Sequence, residues 1–380
     1  MLKEQTEAFC RYYPSVNVGI SAWGQQDEQF LLWLKDHLKN IKKYVRASTS
    51  PYITPLLPNL KVYHSPTFTW TKKILGGNMK GLIKANLQNL HSFESDYGAV
   101  DAIHAHVGFP AGMIAMEVAR ITKKPYCITE HMGPFPYPLV QNKDGMLSAS
   151  HRQPYSEAVV NVAVSSYQAE LMERQGIRNV VVIPNFVDED VFVPSPIKAT
   201  PKEPFTFFAL SYIAPNKGTD LLLYAAQKLL DAKIDVLLRI GGDGPFLNTC
   251  KHIASTLGIE ANIVWLGDVG REDALREFQS CDAFVLPSQY ESMGIVFVEA
   301  LACGKPIIAT KCGGPESTVT PFNGILVDKN NIEELTQAMQ SLITNYQKYD
   351  SLQIRQDFLN RFSTQAVAPQ LLNLYNGLIK

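Results

Sequence analysis

Two glutamates eight residues apart, Glu291 and Glu299, bracket the polar turn Ser292-Met293-Gly294 within PSQYESMGIVFVEALACGKPIIATKCGGPE, residues 287 to 316. Asp282 to Pro287 reads as an apolar strand. A polar loop then opens a short helix from about Gly294 to Cys303, and a second strand follows, which makes a strand-loop-helix-strand unit. The helix holds one charge, Glu299, among Ile295, Val296, Phe297, Val298, Ala300, Leu301 and Ala302. A carboxylate buried there needs donors, because burial without them is strongly unfavourable. Either the nearby cation Lys305 supplies them, or the paired hydroxyls of a bound ligand such as a ribose do; the context favours the ligand. At the helix opening, the free N–H groups of Ser292, Met293 and Gly294 and the positive end of the dipole form an anion site suited to a phosphate.

Other stretches offer further chemistry. Lys217, in the turn Tyr212 to Gly218 (YIAPNKG) after the strand FTFFALS, is either a compact charge for a diphosphate or an ordinary exposed loop lysine. Gly241-Gly242-Asp243-Gly244-Pro245 lies between a strand and a helix, and alone is only a tight turn. Ala99 to Val107 reads as a strand carrying His104 and His106. Pro125 to Met132 reads as another, ending in Glu130-His131. Ligands of open parallel sheets gather beyond the carboxyl ends of strands, which places His106 and His131 better than most histidines. Asp188-Glu189-Asp190 has D-x-D metal spacing, a weak signal that any acidic linker offers.

These motifs resemble the signature of retaining glycosyltransferases of family 4, which have the GT-B fold and bind nucleotide-diphosphate sugars. The resemblance lies in P-S-x-x-E-x-F-G followed by E-A-x-A-x-G-x-P and G-G-x-x-E, with Met293 in place of Phe and Glu316 one residue early. RNVVVIPNFVDEDVFV from Arg178 resembles V-I-P-N-G-V-D-x-x-x-F with Phe186 for Gly. The segment at His131 resembles T-x-H-G with Met132 inserted before Gly133. Tyr212 stands where the family often has an arginine. The start of the chain resembles the family's first helix, so the family's first strand and glycine-bearing loop are expected to be absent ahead of it.

The resemblance implies two Rossmann-like, doubly wound α/β domains facing across a cleft: residues 1–193 on the acceptor side, with a crossover helix 365–380, and residues 194–364 holding the donor. It implies catalytic roles for His131, Glu291 and Lys217. It implies donor contacts from Lys217, Gly218, Gly242, Gly244, Leu266 (in VWLG, Val264 to Gly267), Glu291, Ser292, Met293, Gly294, Ile295 and Glu299, with His106 on the acceptor side. The expected partners are a nucleotide-sugar donor and a saccharide or lipid-linked saccharide acceptor, with no cofactor and no metal. The expected pathway is cell-surface polysaccharide or glycolipid synthesis. Alternatives are a sugar-nucleotide epimerase of the same fold and a sugar-nucleotide-binding protein without turnover.

Bulk properties agree with this organisation. A length of 380 residues suits two domains, and 46% hydrophobic with 19% charged residues suits globular cores. A formal net charge of −1 argues against nucleic-acid binding as the main activity. Cysteines 10, 127, 250, 281, 303 and 312 show no paired spacing, which fits a reducing compartment. No apolar run reaches membrane-spanning length, and the N-terminus lacks signal-peptide blocks, so the expected location is cytoplasmic. From 31 to 90, ten basic residues (35, 39, 42, 43, 46, 61, 72, 73, 80 and 84) face one acid, Asp36. With Trp33, Tyr44, Phe68 and Trp70 among them, this stretch is either a peripheral docking face for an anionic membrane or acidic acceptor, or a solvated helical face over core aromatics. Pro194 to Pro204 reads as a linker, and 133 to 154 as a long loop in the acceptor wall.

Overall fold

Apolar runs separated by amphipathic helices build two α/β halves in the protein, whose computed structural model describes residues 2–23, 50–67, 78–195 and 204–379. The second half contains six strands among the described residues: β8 (Phe205–Leu210), β9 (Val236–Gly241), β10 (Ile263–Gly267), β11 (Ala283–Leu286), β12 (Ile307–Thr310) and β13 (Gly324–Val327). All pair in parallel, in the order β10-β9-β8-β11-β12-β13. The order reverses direction between β8 and β11, and in an open parallel sheet ligands collect at such a reversal. These strands are apolar on both faces because helices cover both. One face packs α6 (Thr219–Asp231) and α10 (Ile332–Thr344). The other packs α9 (Ile295–Ala302) and α11 (Ser351–Phe362).

The first half is less regular. Its strands β4 (Ile103–His106), β5 (Tyr126–Glu130), β6 (Val160–Ala163) and β7 (Val180–Val182) form one parallel sheet. β1 (Val18–Trp23), β2 (Tyr52–Leu57) and β3 (Leu60–Ser65) form a separate sheet in the order β1-β3-β2, with β2 and β3 antiparallel. The doubly wound expectation therefore holds for the second half, whereas the first half divides into two sheets. Helices α1 (Leu2–Tyr12) and α12 (Thr364–Leu378) pack together on one side of this half, and α2 (Met79–Tyr97) and α3 (Met113–Thr122) on the other.

The expected loop 133–154 is corrected by α4 (Ala149–Glu157), whose interior Pro154 disguises it in the sequence. The Ser148 carbonyl accepts from the His151 and Arg152 amides and starts its first turn before the proline is reached. Seven of the ten basic residues of the stretch 31–90, its aromatics Trp33, Tyr44, Phe68 and Trp70, and most of the linker lie outside the described residues. Of the basic residues that are described, Lys61 pairs with Asp96 at 2.9 Å, and Lys80 and Lys84 are exposed on α2. No helix among the described residues is long and apolar enough to cross a membrane.

The halves are stitched along their length. The Val187 amide donates to the Phe362 carbonyl at 3.0 Å, and Glu189 accepts from the Thr364 amide at 2.7 Å, capping α12. Asp188 pairs with Arg11. Two of the three acids raised as a metal motif, Asp188 and Glu189, thus hold structural partners. Arg355 donates to three carbonyls, those of Phe192 at 2.6 Å, Ala302 at 2.7 Å and Glu189 at 2.7 Å. Arg355→Ala leaves these acceptors unpaired in a partly dry joint, so a loss of roughly 2 to 4 kcal/mol is expected. Urea unfolding should show a lowered midpoint at unchanged slope.

Candidate active site

The site is built where the strand order reverses. The turn after β8 carries Lys217 and Gly218, and the loop after β11 carries Ser288, Glu291 and Ser292. Lys217 Nζ donates to Glu291 Oε1 at 2.7 Å, and Ser288 Oγ donates to the same oxygen at 2.8 Å. The Gln289 amide reaches the Asn216 carbonyl at 2.8 Å, so side chains and main chain both join the loops. Gly218 opens α6 at φ +68, and a Cβ there would stand 2.2 Å from the Pro287 carbonyl oxygen. Only glycine allows both that conformation and that approach.

The Glu291 carbonyl accepts from the Gly314 amide at 2.8 Å, and Glu316 accepts from the Gly313 amide at 2.8 Å, which folds the G-G-x-E segment against the loop. Gly294 is the N-cap of α9, with no side chain bound to the first-turn amides. Met293 is buried, and its sulfur lies 3.2 Å from the Asn185 amide of the first half. In place of an aromatic ring, a flexible thioether fills this joint.

Glu299 sits one turn along α9 in a separate cavity of about 230 Å³ that it lines with Ile295, Leu210, Arg271, Glu4 and Phe186. Burial raises its pKa from 4.5 to about 7, against the attraction of Arg271. The sequence alternative fails here: Lys305 Nζ donates to the Cys281 carbonyl at 2.7 Å. Arg271 is the cation beside Glu299, and it also pairs with Glu4 of α1 at 2.5 Å. Gly242 and Gly244 lie in the turn after β9. The Gly242 amide donates to the Gly267 carbonyl at 2.6 Å, beside Leu266 at the end of β10. A Cβ on Gly242 would stand 1.8 Å from the Ser211 carbonyl oxygen, so that glycine is required by neighbouring backbone.

The opposite wall comes from the ends of β4 and β5. His106 Nδ1 and His131 Nε2 are 2.8 Å apart, and His104 stacks behind His106 with ring centroids at 4.3 Å. His104 is fixed by Tyr375 and Thr129, each at 2.7 Å. Burial lowers the His131 pKa to about 4, with the Asn185 side chain acting the other way. Burial also holds His106 well below 6.5, helped by His104 and His131. Both rings are therefore neutral near pH 7, and one N–H is shared between them. His131 Nδ1 is buried without a hydrogen-bond partner among the described residues.

Several site residues carried no sequence assignment. Glu130 is fully buried, accepting from Tyr155, from the Gly108 amide at 3.1 Å and from the Met132 amide at 2.8 Å. Desolvation raises its pKa and these donors oppose the rise. Its signal was a charge ending an apolar strand. Val107, a β-branched residue at φ +68, turns the chain directly after His106, a strained position of the kind that clusters at functional sites. Tyr290 donates to Gln168 at 3.2 Å, and Ser165 Oγ donates to the Ser292 carbonyl at 2.5 Å, which clamps the loop against the first half.

Two family models match the chain: "Glycosyltransferase Family 4" over residues 56–191 and "Glycosyl transferases group 1" over residues 195–356. Between them they span most of it. The chain belongs to the family 4, group 1 glycosyltransferases. It is 32% identical over 178 residues to a GDP-mannose-dependent alpha-(1-6)-phosphatidylinositol monomannoside mannosyltransferase of Mycolicibacterium smegmatis, a match covering 43% of this chain and 47% of that protein. The chain thus spans about half the length of that relative. An uncharacterised glycosyltransferase of Methanocaldococcus jannaschii is 24% identical over 97% of this chain and 96% of its own. The structure of Anabaena HepE with UDP and glucose superposes with a TM-score of 0.71 at 20% identity, over 98% of this chain and 95% of that one. The fold is GT-B.

A carboxyl whose pKa is raised on folding keeps its proton in the native state where the unfolded chain has lost it. For Glu299 stability therefore falls as pH rises from about 4.5 to about 7 and is level above. Glu299→Gln removes that slope. The variant should match the parent in urea at pH 5 and exceed it at pH 8, with a ceiling of about 3 kcal/mol.

Proposed function

We propose that the protein transfers a sugar from a nucleoside-diphosphate sugar to an acceptor hydroxyl with the anomeric configuration retained. The observation that carries this reading is the Lys217–Glu291 pair at the reversal of the strand order, beside the open N-terminus of α9. Lys217 and the amides of Met293 and Gly294 would take the diphosphate, and Glu299 the ribose hydroxyls. Once Lys217 turns to the phosphates, Glu291 is free to accept the sugar hydroxyls. His131 would contact the sugar from the first half, with His106 fixing its ring.

In this chemistry the bond from the anomeric carbon to the phosphate oxygen breaks towards the diphosphate, and charge grows on that oxygen. A helix N-terminus fixed in advance, and Lys217 once it has turned to the phosphates, would stabilise growing charge more than ground-state charge, which is the condition for catalysis. The acceptor oxygen bonds to the same carbon and gives up its proton. No carboxylate is assigned as a nucleophile. Positive potential already stands at the leaving group, so no metal is required in this reading.

The relatives suggest both the donor panel and the setting. The mycolicibacterial protein is named for GDP-mannose and a phosphatidylinositol mannoside, and HepE was solved with UDP and glucose. A glycolipid or cell-surface polysaccharide acceptor at the cytoplasmic face of a membrane, met through the basic stretch 31–90, fits these names.

Purified protein should consume one of UDP-glucose, GDP-mannose or their ADP counterparts only when an acceptor is added, and should do so in excess EDTA. Loss of turnover in EDTA, restored by a divalent cation, would overturn the metal-free part. Consumption of donor alone would instead identify an epimerase, and nucleotide affinity without consumption a binding protein. Glu299→Ala removes an acceptor for two hydroxyls and should raise the Kd for the matching nucleoside diphosphate roughly 10- to 100-fold. Calorimetry showing unchanged affinity would remove Glu299 from the site.

A further inference from the structure

The β4–β5 ladder runs from Ile103 opposite Tyr126 to His106 opposite Thr129, and its last bond is that of the Val107 amide to the Thr129 carbonyl at 2.8 Å. At Val107 the backbone turns to φ +68 and leaves the ladder. The His106 and His131 rings must nevertheless stay close enough to meet at 2.8 Å. What joins the two strand ends past the ladder is the side chain of Glu130. Its Oε2 accepts from the Gly108 amide at 3.1 Å, and its Oε1 from the Met132 amide at 2.8 Å. Gly108 lies two residues after His106, and Met132 directly follows His131. One carboxylate thus ties down the chain just past each histidine.

The third donor to this carboxylate is the hydroxyl of Tyr155, from α4. Tyr155 is itself held: Asn161 Nδ2 donates to its carbonyl at 2.9 Å, and its ring meets Phe135 edge-on with centroids 6.1 Å apart. A Cβ on Gly108 would stand 2.1 Å from the Tyr155 hydroxyl, so a glycine there leaves room for the contact. Glu130 is 2% exposed, and these three partners are all neutral donors. Burying a carboxylate without a cation is costly, and packing alone does not call for one. The donors do. Glutamine would offer one oxygen to the three and set its own amide against a main-chain N–H. An apolar residue would leave the Gly108 and Met132 amides unpaired. A strained conformation such as that of Val107 persists only where its surroundings over-determine it, and Glu130 holds the residue that comes next.

We propose that Glu130 is a positioning residue: with Tyr155 it locks the ends of β4 and β5 at the separation where His106 Nδ1 and His131 Nε2 share one N–H, and so fixes the His131 ring. Its oxygens are buried and occupied, so it touches no ligand and acts only through the histidines. A ring held through Nε2 keeps Nδ1, which has no partner among the described residues, for a hydroxyl of the donor sugar. That consequence for the sugar rests on the transferase reading, whereas the lock itself does not. The nucleotide, held by the second half in that reading, lies beyond the reach of the lock.

The test is magnetic resonance on the full chain labelled in its histidine ring nitrogens, where the shared imidazole N–H should give a slowly exchanging proton signal that His106→Gln removes. Glu130→Gln should abolish the signal well below the Tm. Ile128→Val, which trims a buried apolar residue of the same strand, should keep it. Tyr155→Phe removes only a hydroxyl and should quicken exchange of that proton at least about fivefold, which decides the matter even if the glutamine variant does not fold. In calorimetry, UDP and GDP should bind Glu130→Gln within about twofold of the parent, while the affinity that UDP-glucose gains over UDP, or GDP-mannose over GDP, should fall about fivefold. A parent without the ring signal, or signal and exchange unchanged in both Glu130→Gln and Tyr155→Phe, would overturn the lock. Equal losses for nucleotide and sugar nucleotide would overturn the positioning role. A parent that gains nothing from the sugar would instead remove His131 from the transferase reading, and the ring signal would still judge the lock by itself.

Discussion

A cation and a carboxylate that hold each other across the point where the strand order divides, Lys217 and Glu291, are the constraint around which the molecule is arranged. Lys217 and Glu291 are both mostly buried, and each would be costly to leave alone there. Their pairing fixes the turn after β8 to the loop after β11 across the point where the strand order divides. Ser288 and the Asn216 carbonyl add hydrogen bonds that hold the same approach from either side. A diphosphate carries more charge than one carboxylate, so the arrangement can exchange partners without exposing an unpaired charge.

The loop that carries Glu291 also joins the two halves. Ser165 and Gln168, at the start of α5 (Ser166–Arg174), bind the Ser292 carbonyl and the Tyr290 hydroxyl, and the Met293 sulfur meets the Asn185 amide. The Lys217–Glu291 pair and the opposing histidine wall are thereby set by one segment rather than by independent loops. Behind the histidines, Tyr375 and Thr129 fix the His104 ring, while Glu130, bonded to Tyr155, holds the Gly108 and Met132 amides of the adjoining chain. The His131 and His106 rings stay neutral near pH 7, so each can donate one hydrogen bond and accept another without bringing a charge of its own.

Much of this was legible in the residues, and the reasons differ from place to place. The strands of the second half follow from apolar runs broken by glycine turns, and β8 and β11 lie within one residue of the runs FTFFALS and Asp282 to Pro287. The opening of α9 at Gly294 follows from an apolar run that starts after a polar loop. The Lys217–Glu291 contact was not legible, because 74 residues separate the two and no local pattern reports a pairing across a sheet. Arg271 was invisible as the neighbour of Glu299 for the same reason, and Lys305, close in sequence, points elsewhere. Pro154 hid α4, since a proline within a polar segment reads as loop. The division of the first half into two sheets depends on which strand edges meet. Periodicity along one strand says nothing of that.

The central claim is that Lys217 exchanges Glu291 for the donor diphosphate, and calorimetric titration of UDP and GDP into the parent, Lys217→Met, Glu291→Gln and the double variant tests it most directly. The account predicts binding to the parent and at least about tenfold loss with Lys217→Met. It also predicts equal or tighter binding with Glu291→Gln, because a competitor for the lysine is gone, and no gain from that change once Lys217 is absent. Affinity that is indifferent to Lys217, or no binding of either nucleotide to the parent, would contradict it.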